Sequence, residues 1–342
     1  MQTRYQFVVF IIAFCGCFSL TYANKPKALQ IFFIDVEGGQ ATLIVSPSGQ
    51  SMLVDTGYPG FNGRDADRIV AAAKTIGLKQ IDFVAITHYH NDHVGGATEL
   101  AKRIKIGEFV DHGANQEDSD ATRELYSNYQ KLWSDSGHRV AKPGDQIPLR
   151  GVKVQVLTAA GEHIDKFVPG AGQPNALCAI EREATVDTTE NARSLGMLIT
   201  YGKFRFLDLG DLTKKKEREL VCPANRVGTV DVYLTTHHGL DQSNARVIVH
   251  ALRPRAAIMN NGPHKGGKPE AWKTVHESPG LQDLWQLHYA VDAGRDYNVP
   301  EQFIANPDEN CQGAYIKLSA EPDGSFTIFN SRNQYSKTYP KQ

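Results

Sequence analysis

The chain has 342 residues, 41% of them hydrophobic, and carries 37 Lys and Arg against 38 Asp and Glu, a formal net charge of -1. That length supports one large core or two modest ones, and the apolar content excludes a chain too polar to fold. Near-neutrality argues against stable nucleic-acid binding and against attachment to an anionic membrane through bulk charge, since both need a basic excess.

Residues 1–23 read as a signal peptide: Arg4 supplies the positive start, 7–20 is an apolar run, and Thr21-Tyr22-Ala23 offers small residues where cleavage occurs. The run falls short of the roughly 20 residues of a membrane span. The expectation is therefore a secreted or periplasmic protein, free of the membrane after cleavage, with 24–342 forming one domain and a C-terminal extension. Without Arg4 the balance is 36 basic against 38 acidic side chains. Once Cys15 and Cys17 leave with the leader, Cys178, Cys222 and Cys311 remain. They allow at most one disulfide and an odd thiol, show no paired metal-ligand spacing, and read as small buried hydrophobes.

Apolar runs at 29–36, 41–45 and 51–54, broken at Glu37-Gly38-Gly39 and Pro47-Ser48-Gly49, predict an antiparallel meander. Helical spacing follows over 65–76, ending at Gly77, and 81–86 reads as a buried strand. Helices are expected at 96–103 and 122–133, a strand at 152–157, and a long loop over 158–189. Beyond it come a hairpin (195–201 and 204–209), a helix (214–220), a strand (231–234), a helix (243–252), a strand (256–259), a helix (281–288) and a closing hairpin (314–318 and 325–329). Strands and helices alternating in two such series predict a two-layered sheet sandwich with helices outside.

The strongest chemical signal is Thr87-His88-Tyr89-His90-Asn91-Asp92-His93-Val94-Gly95-Gly96, directly after the strand at 81–86. Three imidazoles and a carboxylate so close are costly to bury without a partner, and a divalent metal satisfies all of them. His88 and His90 can face one way and Asp92 and His93 another, feeding two adjacent metal sites. The mixture of donors suits zinc.

This segment resembles the His-x-His-x-Asp-His hallmark of the metallo-β-lactamase superfamily, which implies an α/β fold, a four-layer αβ/βα sandwich. Leu53-Val54-Asp55-Thr56-Gly57 is similar to the family motif whose Asp supports a ligand histidine, and Asp55 could accept that ring N–H. Leu209-Gly210-Asp211 resembles the motif whose Asp bridges both metals, although an Asp there could also cap the following helix. Thr236-His237-His238-Gly239 falls where the last ligand is expected; position favours His237, with His238 the alternative and otherwise free to contact substrate.

The histidine that most members place about twenty residues before the bridging Asp is absent, and Asn191 stands there. Together with the stretch 35–41 and the His237-His238-Gly239 run, this resembles the branch containing the hydrolase-like domain of competence DNA-uptake proteins. The implied ligand set is His88, His90, Asp92, His93, Asp211 and His237, with Asn191, His163 or His238 as further contributors.

The implied cofactors are two divalent ions, zinc or else manganese. The implied reaction is hydrolysis by a metal-bridged water, with Asp92 or His238 assisting the leaving group. The competence-type resemblance points to a phosphodiester or other anionic ester substrate. Two alternatives stand beside it: hydrolysis of a lactone, thioester or β-lactam, and a degenerate fold acting as a binding module. In the polar stretch 260–269, Lys265 or Lys268 could hold an anionic substrate. Lys214 to Lys216 read as a solvated helix face, and Trp272, Trp285 and Tyr289 as helical core positions. His112, His138, His250, His276 and His288 have no evident partner.

Overall fold

A computed structural model describes residues 28–181 and 184–342. The signal-peptide expectation for 1–23 lies outside the described residues. The strands are β1 (Leu29–Phe33), β2 (Thr42–Val45), β3 (Ser51–Val54), β4 (Gln80–Ala85), β5 (Lys105–Asp111), β6 (Gly137–Val140), β7 (Gln146–Ile147), β8 (Lys153–Ala159) and β9 (Glu162–His163). There follow β10 (Gly196–Tyr201), β11 (Phe204–Asp208), β12 (Val232–Leu234), β13 (Ala256–Met259), β14 (Asp283–His288), β15 (Ile304–Asn306), β16 (Ile316–Ala320), β17 (Phe326–Asn330) and β18 (Ser336–Tyr339). The α-helices are α1 (Arg64–Thr75), α2 (Ala97–Ala101), α3 (Asp120–Gln130), α4 (Lys214–Val221), α5 (Arg246–Leu252) and α6 (Pro269–His276).

One sheet has the order β18-β17-β16-β1-β2-β3-β4-β5-β6, the other β15-β14-β13-β12-β11-β10-β8-β7 with β9 on β8. Strands β3 to β6 run parallel, as do β11 to β15. Alternation along each strand explains the layering. Leu29, Ile31 and Phe33 of β1 face Phe206 and Trp285 of the opposite sheet, forming the core between the sheets. Phe32 points the other way, with Leu43 and Leu53, onto Ile69 and Ala73 of α1. Across the molecule Leu207 and Tyr233 meet Leu220 of α4 and Ile248 of α5. The result is helix, sheet, sheet, helix, the four-layer αβ/βα sandwich, with central strands buried on both faces.

Several elements differ from the sequence reading. The helix expected at 281–288 is strand β14, paired in parallel with β13 and β15. Its apolar residues mimic a helix because both faces are buried: Trp285 enters the core between the sheets and Leu284 the outer core. The opposite error hides α6, which begins with Pro269 at its first turn inside a stretch read as polar loop. β16 pairs antiparallel with β1, so the C-terminal segment completes a sheet. The long loop after β8 is pinned by the disulfide Cys178–Cys222, and Cys311 is a free, half-buried thiol. No described helix is long and apolar enough to cross a membrane.

Candidate metal centre

The centre lies where the carboxyl ends of β3, β4, β11, β12 and β13 meet, the crevice in which parallel strands commonly present ligand-binding residues. Asp55, His237 and His238 adopt left-handed backbone at φ of 60°, 56° and 56°. Such geometry costs about 1–2 kcal/mol per non-glycine residue. It is held by hydrogen bonds from Asp55 N to the Ala85 carbonyl, from His237 N to the Gly210 carbonyl and from Gly267 N to the His238 carbonyl. Gly210, at φ 55°, lies so close to the β4 end that a Cβ there would sit 2.8 Å from Thr87 Cβ. This contact fixes the Asp211 turn against the histidine segment.

Donor atoms of Asp92, His93, Asp211 and His238 all fall within 4.8 Å of one another, and all four residues are buried. His93 Nε2 lies 3.1 Å from Asp211 Oδ2 and 3.2 Å from Asp92 Oδ2. His238 Nε2 lies 3.1 Å from Asp92 Oδ2 and 3.3 Å from Asp211 Oδ1. His237 Nε2 approaches Asp211 Oδ2 at 3.3 Å, and Ser243 Oγ lies 3.3 Å from its Nδ1. Both members of the His237-His238 pair thus face Asp211, while His238 joins the four-residue group.

His88 Nε2 sits 3.9 Å from Asp211 Oδ2 and 3.0 Å from His90 Nδ1, so these two rings turn nitrogens toward one point. Asp55 accepts from Thr87 N and Thr87 Oγ1, and its Oδ2 is 2.7 Å from His93 Nδ1. The Asp55 carboxylate on Nδ1 fixes the ring and turns Nε2 toward the cluster.

His163 lies apart on β9, its Nδ1 3.1 Å from the Ile164 carbonyl oxygen. Asn191 sits in a short 3-10 turn with Oδ1 buried and unpartnered, on a cavity of about 520 Å³ that His237 also lines. Sequence reasoning missed Glu117, whose Oε2 is 3.0 Å from His90 Nε2 and which also accepts from Glu190 N. Its only signal is an acidic residue in a loop far along the chain. The unplaced histidines also have partners: His112 lies 2.9 Å from Glu190, His138 2.8 Å from Asp111, His250 3.1 Å from the Thr274 carbonyl, and His288 2.7 Å from Asp35. His276 stacks on Trp272.

Electrostatics follow from dry packing of opposite charges. Burial pushes the Asp92 carboxyl up, but His93 and His238 outweigh it and hold it well below the usual carboxylate range. Asp211 behaves likewise, opposed by burial and held down by His237, His238 and His93. Burial lowers His88 well below the usual histidine range, reinforced by His93, and lowers His237 to about 4. His93 is driven well up despite burial by Asp211, Asp92 and Asp55. The Lys265 ammonium donates to Asp92 Oδ2 and lies 3.2 Å from the Tyr58 hydroxyl. Lys268 instead opens α6.

Imidazoles and two carboxylates in this enclosure fit a divalent cation. Asp211 Oδ1 supports the fit: it is buried and accepts no hydrogen bond, although His238 Nε2 is 3.3 Å away. Facing sheets with outer helices, and a His/Asp centre at the strand ends, define a metallohydrolase of the metallo-β-lactamase class. Residues 34–178 match the Metallo-beta-lactamase superfamily, so the chain carries a domain of that superfamily.

Recombination protein 2 of Haemophilus influenzae is 24% identical over 283 residues, 82% of this chain and 30% of that protein. ComE operon protein 3 of Bacillus subtilis is 23% identical over 252 residues, 68% of this chain and 28% of that protein. This chain therefore spans less than a third of either relative, and the likeness supports the competence-type branch. A metal-dependent hydrolase of Cupriavidus necator is 22% identical over 252 residues, 70% of this chain and 77% of that one. The metallo-beta-lactamase fold protein YhfI from Bacillus subtilis superposes with a TM-score of 0.48 at 15% identity, covering 75% of this chain and 96% of that one.

Proposed function

We propose that this is an exported, secreted or periplasmic hydrolase of phosphodiesters or other anionic esters, working with two divalent ions, zinc by preference and manganese as the second choice. The observation that carries the substrate class is Lys265, a cation beside Asp92 at the edge of the four-residue centre. An anionic substrate oxygen there gains an ammonium partner that a neutral substrate does not need. Of the relatives' names, Recombination protein 2 and ComE operon protein 3, the first leans the same way.

In this reading His88, His90 and Asp211 hold one ion, and Asp92, His93, His238 and Asp211 the other, with His237 supporting Asp211 from the side of Asn191. The chemistry supplied on metal binding is Lewis acidity, which activates water and polarises the oxygen under attack. Asp55 fixes the His93 ring, and Glu117 fixes His90. Asp92 is surrounded by Lys265, His93 and His238, so in this reading it serves as a ligand, and Lys265 serves to hold the charge of the substrate. Near-neutral charge favours a small or transiently bound substrate over a tightly held polynucleotide.

The test compares bis-(p-nitrophenyl) phosphate, a lactone and a chromogenic cephalosporin on the metal-loaded protein. Preference for the phosphodiester is expected, and preference for either carbonyl compound would overturn the assignment. Less than about half an equivalent of transition metal after reconstitution would instead favour the binding-module reading.

A further inference from the structure

A second constellation lies outside the catalytic crevice and contains the sulfur that the first lacks. Asp35 follows β1 of one sheet, His288 ends β14 of the other, and Cys311 lies in the segment between β15 and β16. One donor atom from each falls within 4.8 Å of the other two. Cys311 Sγ is 3.1 Å from Asp35 Oδ2 and 3.8 Å from His288 Nε2, while His288 Nε2 is 2.7 Å from Asp35 Oδ1. Asp35 and His288 are buried and Cys311 is partly exposed, which gives an entry path.

We propose that Asp35, His288 and Cys311 form a separate site for a divalent transition metal of the zinc class. Thiolate, imidazole and carboxylate in one small enclosure are the donors such ions prefer, whereas magnesium and calcium favour all-oxygen shells. A nucleophilic triad fits less well, because His288 turns the same Nε2 toward both Asp35 and Cys311, leaving no relay through the ring. Binding releases the thiol proton and any proton on His288 Nε2, leaving two negative ligands and a neutral imidazole around a doubly charged ion.

Arg68 has a compatible place. It donates from Nη1 to Asp35 Oδ2 and from Nη2 to Cys311 Sγ, and pairs with Glu37 at 3.2 Å. A guanidinium that hydrogen-bonds both the carboxylate and the sulfur serves as an outer partner of the site. Glu37 Oε1 lies 3.8 Å from the sulfur but is paired with Arg68 Nη2 at 3.2 Å, which leaves a fourth position to solvent on the exposed side of Cys311.

Such an ion would staple the ends of the two sheets and the turn between β1 and β2. That turn reaches the catalytic centre: Gln40 N donates to the Asp92 carbonyl, and a Cβ on Gly39 would lie 2.5 Å from the same oxygen. The site stands independently of the substrate class proposed above.

The test is cobalt substitution of the full chain with Cys15 and Cys17 replaced by Ser, its single free thiol first verified with a thiol-reactive dye. Cobalt at the His/Asp centre gives only visible ligand-field bands. Cobalt on Cys311 adds an intense near-ultraviolet thiolate-to-metal charge-transfer band. We expect that band, its loss in Cys311→Ser, and one fewer metal ion per chain in the variant. Absence of the band while the visible bands are present, or its survival in Cys311→Ser, overturns the site. Absence of visible bands in Cys311→Ser, where only the crevice can contribute them, would count against the catalytic reading and leave the thiolate result interpretable.

Discussion

The His/Asp centre in the crevice and the Asp35–His288–Cys311 cluster use overlapping residue types but are assembled differently. The first takes its core from one contiguous segment, His88 to His93, completed by Asp211 and the adjacent His237 and His238. The second draws one residue from each of three distant places, two of them at the ends of strands from opposite sheets. A contiguous, oxygen- and nitrogen-only centre with a lysine at its edge suits turnover of an anionic substrate. A scattered, sulfur-bearing centre joining two sheets suits retention of an ion. Built-in redundancy differs as well, since Asp211 serves both halves of the crevice, whereas each residue of the second cluster serves once.

The sharpest way to break this contrast is Asp211→Ala. Because Asp211 faces His88, His93, His237 and His238, turnover should fall more than about 100-fold and metal content should drop, beyond what loss of an outer partner causes. Steady-state kinetics with metal analysis reads both. Retained activity would remove the bridging role.

Asp55→Asn comes next. It keeps the shape but presents an amide to His93 Nδ1, and affinity for the crevice metal should weaken by about 10- to 100-fold. Competition with a chromogenic chelator measures it, and the cobalt–thiolate band should be untouched if the two clusters are separate.

Lys265→Gln separates substrate binding from metal binding. Loss of a charged hydrogen bond of roughly 1.5 kcal/mol predicts about a tenfold rise in KM for a phosphodiester and little change for a neutral lactone. An equal change for both substrates would remove Lys265 from recognition of charge. Smallest of all, Cys311→Ser should leave phosphodiester turnover within about twofold, because its sulfur touches no residue of the crevice centre. A large loss would make the second cluster part of catalysis.

The His-x-His-x-Asp-His segment was legible in its local spacing, and Asp55, Asp211 and the His237-His238 pair through the resemblance of their motifs to the family's. The competence-type resemblance was legible for the same reason. What escaped depends on contacts across the fold. His288 showed no partner in sequence because Asp35 lies just past the end of β1, a strand of the opposite sheet. Glu117 reaches His90 only once its loop folds back over the β4 end. Strand β14 passed for a helix because burial on both faces erases the alternation that marks a half-exposed strand.

By itself the sequence determined the class of chemistry, since clustered imidazoles and carboxylates are tolerable in a core only with a cation to share. Its -1 balance also argues against a bulk-charge hold on nucleic acid, while Lys265 concentrates positive charge at one point. Tertiary structure decided that His238 joins Asp92, His93 and Asp211, and that an odd cysteine, read as a small hydrophobe, meets a histidine and an aspartate. The reason is geometric. Residues close in sequence meet through local backbone, whereas a meeting of three distant segments depends on how two sheets pack.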